Sequence, residues 1–178
     1  MIHIHATRKL LGTSRIEPVM LVTEKPADQH MHNWYATLIS SGYPGKTLVL
    51  YYHEPSMLVV ITKGRTIATT FASFRERLEK LLLRLEFPAE FIEREILLTE
   101  SYVTGKTSNR SMLGLMNESI YAIEWRCKRY EKFELIDSDE IEDLQMNSLF
   151  TTREKKYKTP LGVWQETLGC KLRHRNRY

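Results

Sequence analysis

Apolar and polar residues alternate at the start of the chain, where Ile2, Ile4 and Ala6 are separated by His3 and His5. Period-two spacing predicts a strand with one buried face. A short helix over 7–11 follows and stops at Gly12. Residues 13–29 carry Pro18 and Pro26 and read as loop, with a short strand at 19–23. Asn33 is suited to cap a helix over 34–39, ended by Ser40, Ser41 and Gly42. The runs 47–52 and 57–62 are rich in Val, Leu, Ile and Tyr, and the linker containing Pro55 has the length of an antiparallel hairpin. A third run, 66–70, adds another strand.

The period then changes. Phe71, Phe74, Leu78, Leu81, Leu82 and Leu85 recur at three- and four-residue spacing opposite Arg75, Glu76, Glu79, Lys80 and Arg84, the pattern of an amphipathic helix. Pro88 opens a shorter helix reaching Leu97, and 100–104 reads as a strand. Leu113, Met116, Ile120, Ile123, Cys127 and Tyr130 then place a long helix over 111–132. Near the end, Thr159 caps Pro160, Leu161 shares a face with Trp164 and Leu168, and Gly169 supplies a stop. That helix is expected to dock against the body or a protein partner through Leu161, Trp164 and Leu168, with 171–178 mobile beyond it. The fold class is α+β: a small, mainly antiparallel sheet with packed amphipathic helices. The organisation is a single core domain over 1–135, then an acidic segment and a basic C-terminal extension over 136–178.

At 178 residues and 42% hydrophobic, the chain has the apolar content for a core, which excludes wholly disordered and low-complexity classes. No apolar run approaches the roughly 18 residues of a membrane span. The alternating start precedes Arg8 and Lys9, the reverse of a secretion signal, and two cysteines with no CxxC spacing fit a reducing compartment. A cytoplasmic protein is expected. The net charge is +4, but residues 151–178 hold eight basic and two acidic residues and so contribute +6, leaving 1–150 at −2. Lys155, Lys156, Lys158, Lys171, Arg173, Arg175 and Arg177, with Tyr157, Trp164 and Tyr178 interleaved, make this tail a candidate nucleic-acid contact.

Few motifs carry chemistry. Gly-Lys-Thr occurs at 45–47 and 105–107, but Ser40 and Glu100 stand where a phosphate-binding loop needs glycine, and the first copy leads into a strand. His3 and His5 share a strand face, yet no third ligand stands at metal spacing; neither metal nor cofactor is implied. Asp137 and Glu140 have capping-box spacing. The strongest candidate is the join of loop and helix at 107–111. There Asn109, Arg110 and Ser111 put a guanidinium beside helix N–H groups, with Asn117 two turns on. The structural alternative is that Asn109 or Ser111 caps the helix and Arg110 pairs with an acid. Trp34 and Tyr35 are the candidate stacking surface for a base, against a core role.

These same segments carry a resemblance. Thr7-Arg8-Lys9-Leu10, Trp34-Tyr35-Ala36-Thr37-Leu38 and Thr107-Ser108-Asn109-Arg110-Ser111-Met112-Leu113-Gly114-Leu115-Met116-Asn117 are similar to those of small bacterial proteins classed as a domain of unknown function. The resemblance covers about 1–125, departs from about Lys128 onward, and implies no activity. Two functions of different class follow from the residues. One is a non-enzymatic module binding a polyanion, foremost nucleic acid. The other is a small enzyme whose phosphate- or carboxylate-bearing substrate is held by Arg110; a protein-interaction role leaves no chemical mark.

Overall fold

The architecture follows from burying both faces of one sheet. The structure, a computed structural model, describes residues 1–20, 30–152 and 154–172. Strand β1 (Ile2–Ala6) lies between β2 (Asn33–Ser40) and β5 (Tyr102–Lys106) and runs parallel to both. Strands β3 (Thr47–His53) and β4 (Val59–Lys63) extend the other side antiparallel, giving the order β4-β3-β2-β1-β5. The fold is α+β, with a mixed sheet and a separate small hairpin of β6 (Phe150–Thr151) and β7 (Tyr157–Lys158).

Helices cover the sheet on both sides. Leu10 and Leu11 of α1 (Arg8–Ser14) join one core with Phe74, Leu78 and Leu81 of α2 (Ile67–Arg84) and Phe91 of α3 (Ala89–Leu98). Met112, Met116 and Ile123 of α4 (Arg110–Cys127) and Ile141 of α5 (Ser138–Met146) form the other. A 3₁₀ turn, Phe133–Leu135, links α4 to α5. Among the described residues, no helix is long and apolar enough to cross a membrane.

Segment 33–40 is a strand, not the expected helix. Trp34, Ala36 and Leu38 enter one core while Tyr35 and Ile39 enter the other, so two faces at period two fill with apolar residues and the alternation disappears. The same double burial takes His5, expected on a polar face, to 2% exposure. Residues 66–70 begin α2 instead of adding a strand, because Thr66 caps it by accepting from the Thr69 N–H at 3.2 Å. The long helix ends at Cys127, five residues short of its expected end. Val19 and Met20 have no regular structure; the rest of the expected 19–23 strand lies outside the described residues.

Near the C-terminus, α6 (Pro160–Leu168) starts at Thr159, whose side chain accepts from Gly162 N–H at 3.0 Å, and stops at left-handed Gly169, as its sequence predicts. Its apolar face packs on the chain's own core, with Leu161 and Trp164 buried and Leu168 half-buried. Leu172, expected in a mobile tail, is 3% exposed and its carbonyl accepts from Gln165 Nε2 at 2.9 Å.

His53 lies under this helix, with Nδ1 2.8 Å from Ser56 Oγ, and burial pulls its ring down to about 3. An unfolded histidine titrates near 6.5, so between pH 6.5 and about 3 only the unfolded state takes the proton. Its contribution to stability is full above 6.5 and falls on acidification through that window, by up to about 1.4 kcal/mol per pH unit. His53→Phe should flatten this dependence; urea midpoints at pH 7 and 5, compared between variant and parent, measure it, and equal slopes would refute it.

Candidate functional site

Strands β1 and β5 are adjacent and parallel, but the helices that follow them diverge. The chain leaves β1 into α1 on one face and leaves β5 into α4 on the other. Such a switch point opens a crevice beyond the carboxyl ends of the two strands, where ligands of open α/β sheets bind. Here it is an open cleft of about 800 Å³, lined by Ala6, Arg8, Leu11, Gly12, Arg15, Ile16, Glu17, Pro18, Lys106 and Thr107. Three cations face one carboxylate. Among the described residues, Arg8, Arg15 and Lys106 make no ion pair, so their charge is open to an anion.

On the α4 side of the same strand ends lies a polar cluster. His5 stacks on Tyr35 with ring centroids 4.8 Å apart, in register across β1 and β2. Tyr35 is fully buried, and burial, reinforced by the charge of Glu54, pushes its hydroxyl up to about 12. Burial draws the His5 ring below its ordinary value, so it is neutral near pH 7. The Lys106 backbone and the Asn33 side chain stand beside the His5 ring, and Ser108, the Asn109 backbone and Glu54 beside the Tyr35 hydroxyl, although none closes a hydrogen bond of full geometry. Tyr35→Phe removes a hydroxyl that closes no hydrogen bond of full geometry. It should leave the thermal midpoint unchanged or raise it; a loss above about 1 kcal/mol would mean the hydroxyl is bonded.

The expected anion site at 109–111 takes a different form. Asn109 Oδ1 accepts from the Ser111 and Met112 N–H groups at 3.1 and 3.2 Å, and its Nδ2 donates to Glu54 Oε1 at 2.6 Å. The helix end is therefore capped from within, and a carboxylate sits beside it. Arg110, Ser111 and Asn117 are exposed, and Arg110 forms no ion pair among the described residues. Asn109→Ala should cost about 1–2 kcal/mol, read as a lowered denaturant midpoint, because the cap and the tie to Glu54 go together.

Trp34 and Tyr35 point to opposite faces of β2 and are fully buried, which leaves no surface for a base. In the basic tail, Lys156 pairs with Glu154 and Lys158 with Glu166, while Lys155 and Lys171 are exposed. Arg173, Arg175 and Arg177 lie outside the described residues. The structure brings together Asn109, Tyr35, His5 and Glu54, while Trp34 enters the opposite core. The cleft residues Arg8, Arg15 and Lys106 escaped sequence reasoning, because 98 residues separate Arg8 from Lys106. No local signal joins them, because the parallel pairing of β1 and β5 belongs to the tertiary structure.

These features define an α+β protein whose mixed sheet opens a basic crevice at its switch point. The chain belongs to the family described as Domain of unknown function (DUF6933), whose model matches residues 3–162. That match runs beyond residue 125, through α5 and into α6. Comparison with curated proteins found no match.

Proposed function

We propose that this is a cytosolic, non-enzymatic protein that binds a phosphate-bearing polyanion, foremost nucleic acid, at the switch-point cleft. One observation carries the reading: Arg8, Arg15 and Lys106 converge on an open cleft that holds a single carboxylate, Glu17. The unbridged cysteines fit the compartment. A small-substrate enzyme is the second reading, favoured by the cluster of His5, Tyr35, Glu54 and Asn109 at the same strand ends.

The test is fluorescence anisotropy with a labelled single strand of about 12 nucleotides, titrated across a salt series starting near 50 mM. The parent should bind with affinity that falls steeply with salt. Arg8→Glu with Lys106→Glu should weaken binding by about a hundredfold and flatten the slope, because each lost phosphate contact removes counterion release. Absence of salt-dependent affinity in the parent would refute the nucleic-acid reading. A phosphate-monoester turnover abolished by Tyr35→Phe would move the conclusion to the enzyme.

A further inference from the structure

A second basic cleft lies on the other side of α1. Its volume is about 510 Å³, and it is lined by Lys9 and Thr13 of α1, Leu38 and Ser40 at the carboxyl end of β2, the 42–47 loop and Arg65. Lys9, Lys46 and Arg65 are its three cations, and no carboxylate lines it. Lys46 reaches Glu134 at 3.6 Å, but both side chains are more than half exposed, and a pair in that setting is weak. Lys9 and Arg65 make no ion pair among the described residues.

The loop here contains the first Gly-Lys-Thr. Gly42 and Gly45 are left-handed, with φ of 87° and 69°, which turns the chain back from β2 into β3. The Thr47 hydroxyl donates to the Gly64 carbonyl at 2.8 Å and ties the loop to the approach of α2. Gly-Lys-Thr therefore works here as a turn that presents Lys46 to a cleft, without a phosphate-binding loop.

The two clefts are consecutive places on one rim. Strands β5, β1 and β2 are neighbours and parallel, so their carboxyl ends face the same edge of the sheet; β1 and β5 end level, and β2 runs four residues beyond the Ala36 that pairs with Ala6. Helix α1 stands between the clefts and contributes Arg8 to the first and Lys9 to the second. A helix with side chains is roughly 10 Å across, so the clefts on its two sides are at least about that far apart. At about 3.4 Å of axis per phosphate along one strand of a duplex, that width corresponds to about three phosphates. One bound phosphate cannot reach both.

We propose that the clefts on either side of α1 are two subsites for one extended chain of repeated phosphates, with Lys9 and Arg65 holding the segment beyond the first cleft. The inference rests on the anion-binding reading of the first cleft and goes further, naming an extended ligand over a mononucleotide or a simple phosphate. Nucleic acid and inorganic polyphosphate share this chemistry.

The experiment compares two double variants of the full chain, Lys9→Ala with Arg65→Ala and Arg8→Ala with Lys106→Ala. Each is titrated with the labelled strand, with inorganic polyphosphate of similar length and with inorganic phosphate. All four side chains are exposed, so thermal midpoints should match the parent. The Lys9/Arg65 variant should bind the long polyanion about tenfold more weakly, with a salt slope reduced by about 1.4, two contacts at about 0.7 each. Its affinity for inorganic phosphate should not change. Long-ligand binding that is unaltered in this variant but reduced by Arg8/Lys106 would overturn the second subsite and leave the first cleft standing. If polyphosphate binds with these properties and the oligonucleotide does not, the two subsites stand and the nucleic-acid reading falls. Binding unaffected by either variant overturns both.

Discussion

Glu142→Ala is expected to destabilise the protein by about 3–5 kcal/mol, enough to unfold a large share of a marginally stable domain. The side chain is fully buried, and its Oε1 accepts from the Ile61 N–H of β4 at 2.8 Å. Because β4 is an edge strand, this donor would otherwise be open to another chain or buried unpaired. Two guanidinium groups complete the site: Arg77 Nη2 at 2.9 Å and Arg84 Nη2 at 3.0 Å from Glu142 Oε2. Both also reach Asp139, and Arg84 reaches Asp143, so five charged side chains tie α2 to α5. Removing the central carboxylate leaves two mostly buried cations with fewer partners, an unsatisfied N–H and a cavity. Equilibrium urea unfolding measures the loss; a change under about 1 kcal/mol would show that Asp139 and Asp143 carry the arginines alone.

The second large effect is Trp164→Ala, with an expected cost of about 3–5 kcal/mol. Trp164 is 2% exposed and packs edge-on against Phe87 and Phe91, with ring centroids at 5.9 and 5.4 Å. Its Nε1 donates to Ser56 Oγ at 2.9 Å, and the same oxygen lies 2.8 Å from His53 Nδ1. The truncation opens a cavity and removes the donor from a buried polar group, so two costs add. Trp164→Phe should recover most of the packing but not the hydrogen bond, giving an intermediate midpoint. If Trp164→Ala unfolds at the parent's denaturant concentration, α6 is not part of the cooperative core.

Where the sequence carried a local mechanism, the elements are legible from it. The long amphipathic helices α2 and α4, the β3–β4 hairpin and the Thr159 to Gly169 helix each depend on spacing, caps or turn residues within a few positions of one another. The Asp137 cap is of the same kind, its carboxylate accepting from the Asp139 and Glu140 N–H groups. Strand β2 was not legible, because a strand buried on both faces loses the alternation by which strands are read. The candidate site was half legible. Asn109 is where a helix start requires a capping side chain, but its second partner, Glu54, is brought to it by the sheet.

By itself the sequence determined an α+β protein whose helices carry one apolar face each, because amphipathic period and capping are encoded over a turn or two of chain. Only the tertiary structure decided that β1 is sandwiched between parallel partners, since strand pairing depends on which apolar faces can be buried together and not on separation along the chain. That pairing sent α1 and α4 to opposite faces and opened the cleft. It also brought Arg8 and Lys106 to one rim and sealed His5 and Tyr35 in the core, where neither a neighbouring residue nor a local motif records their environment.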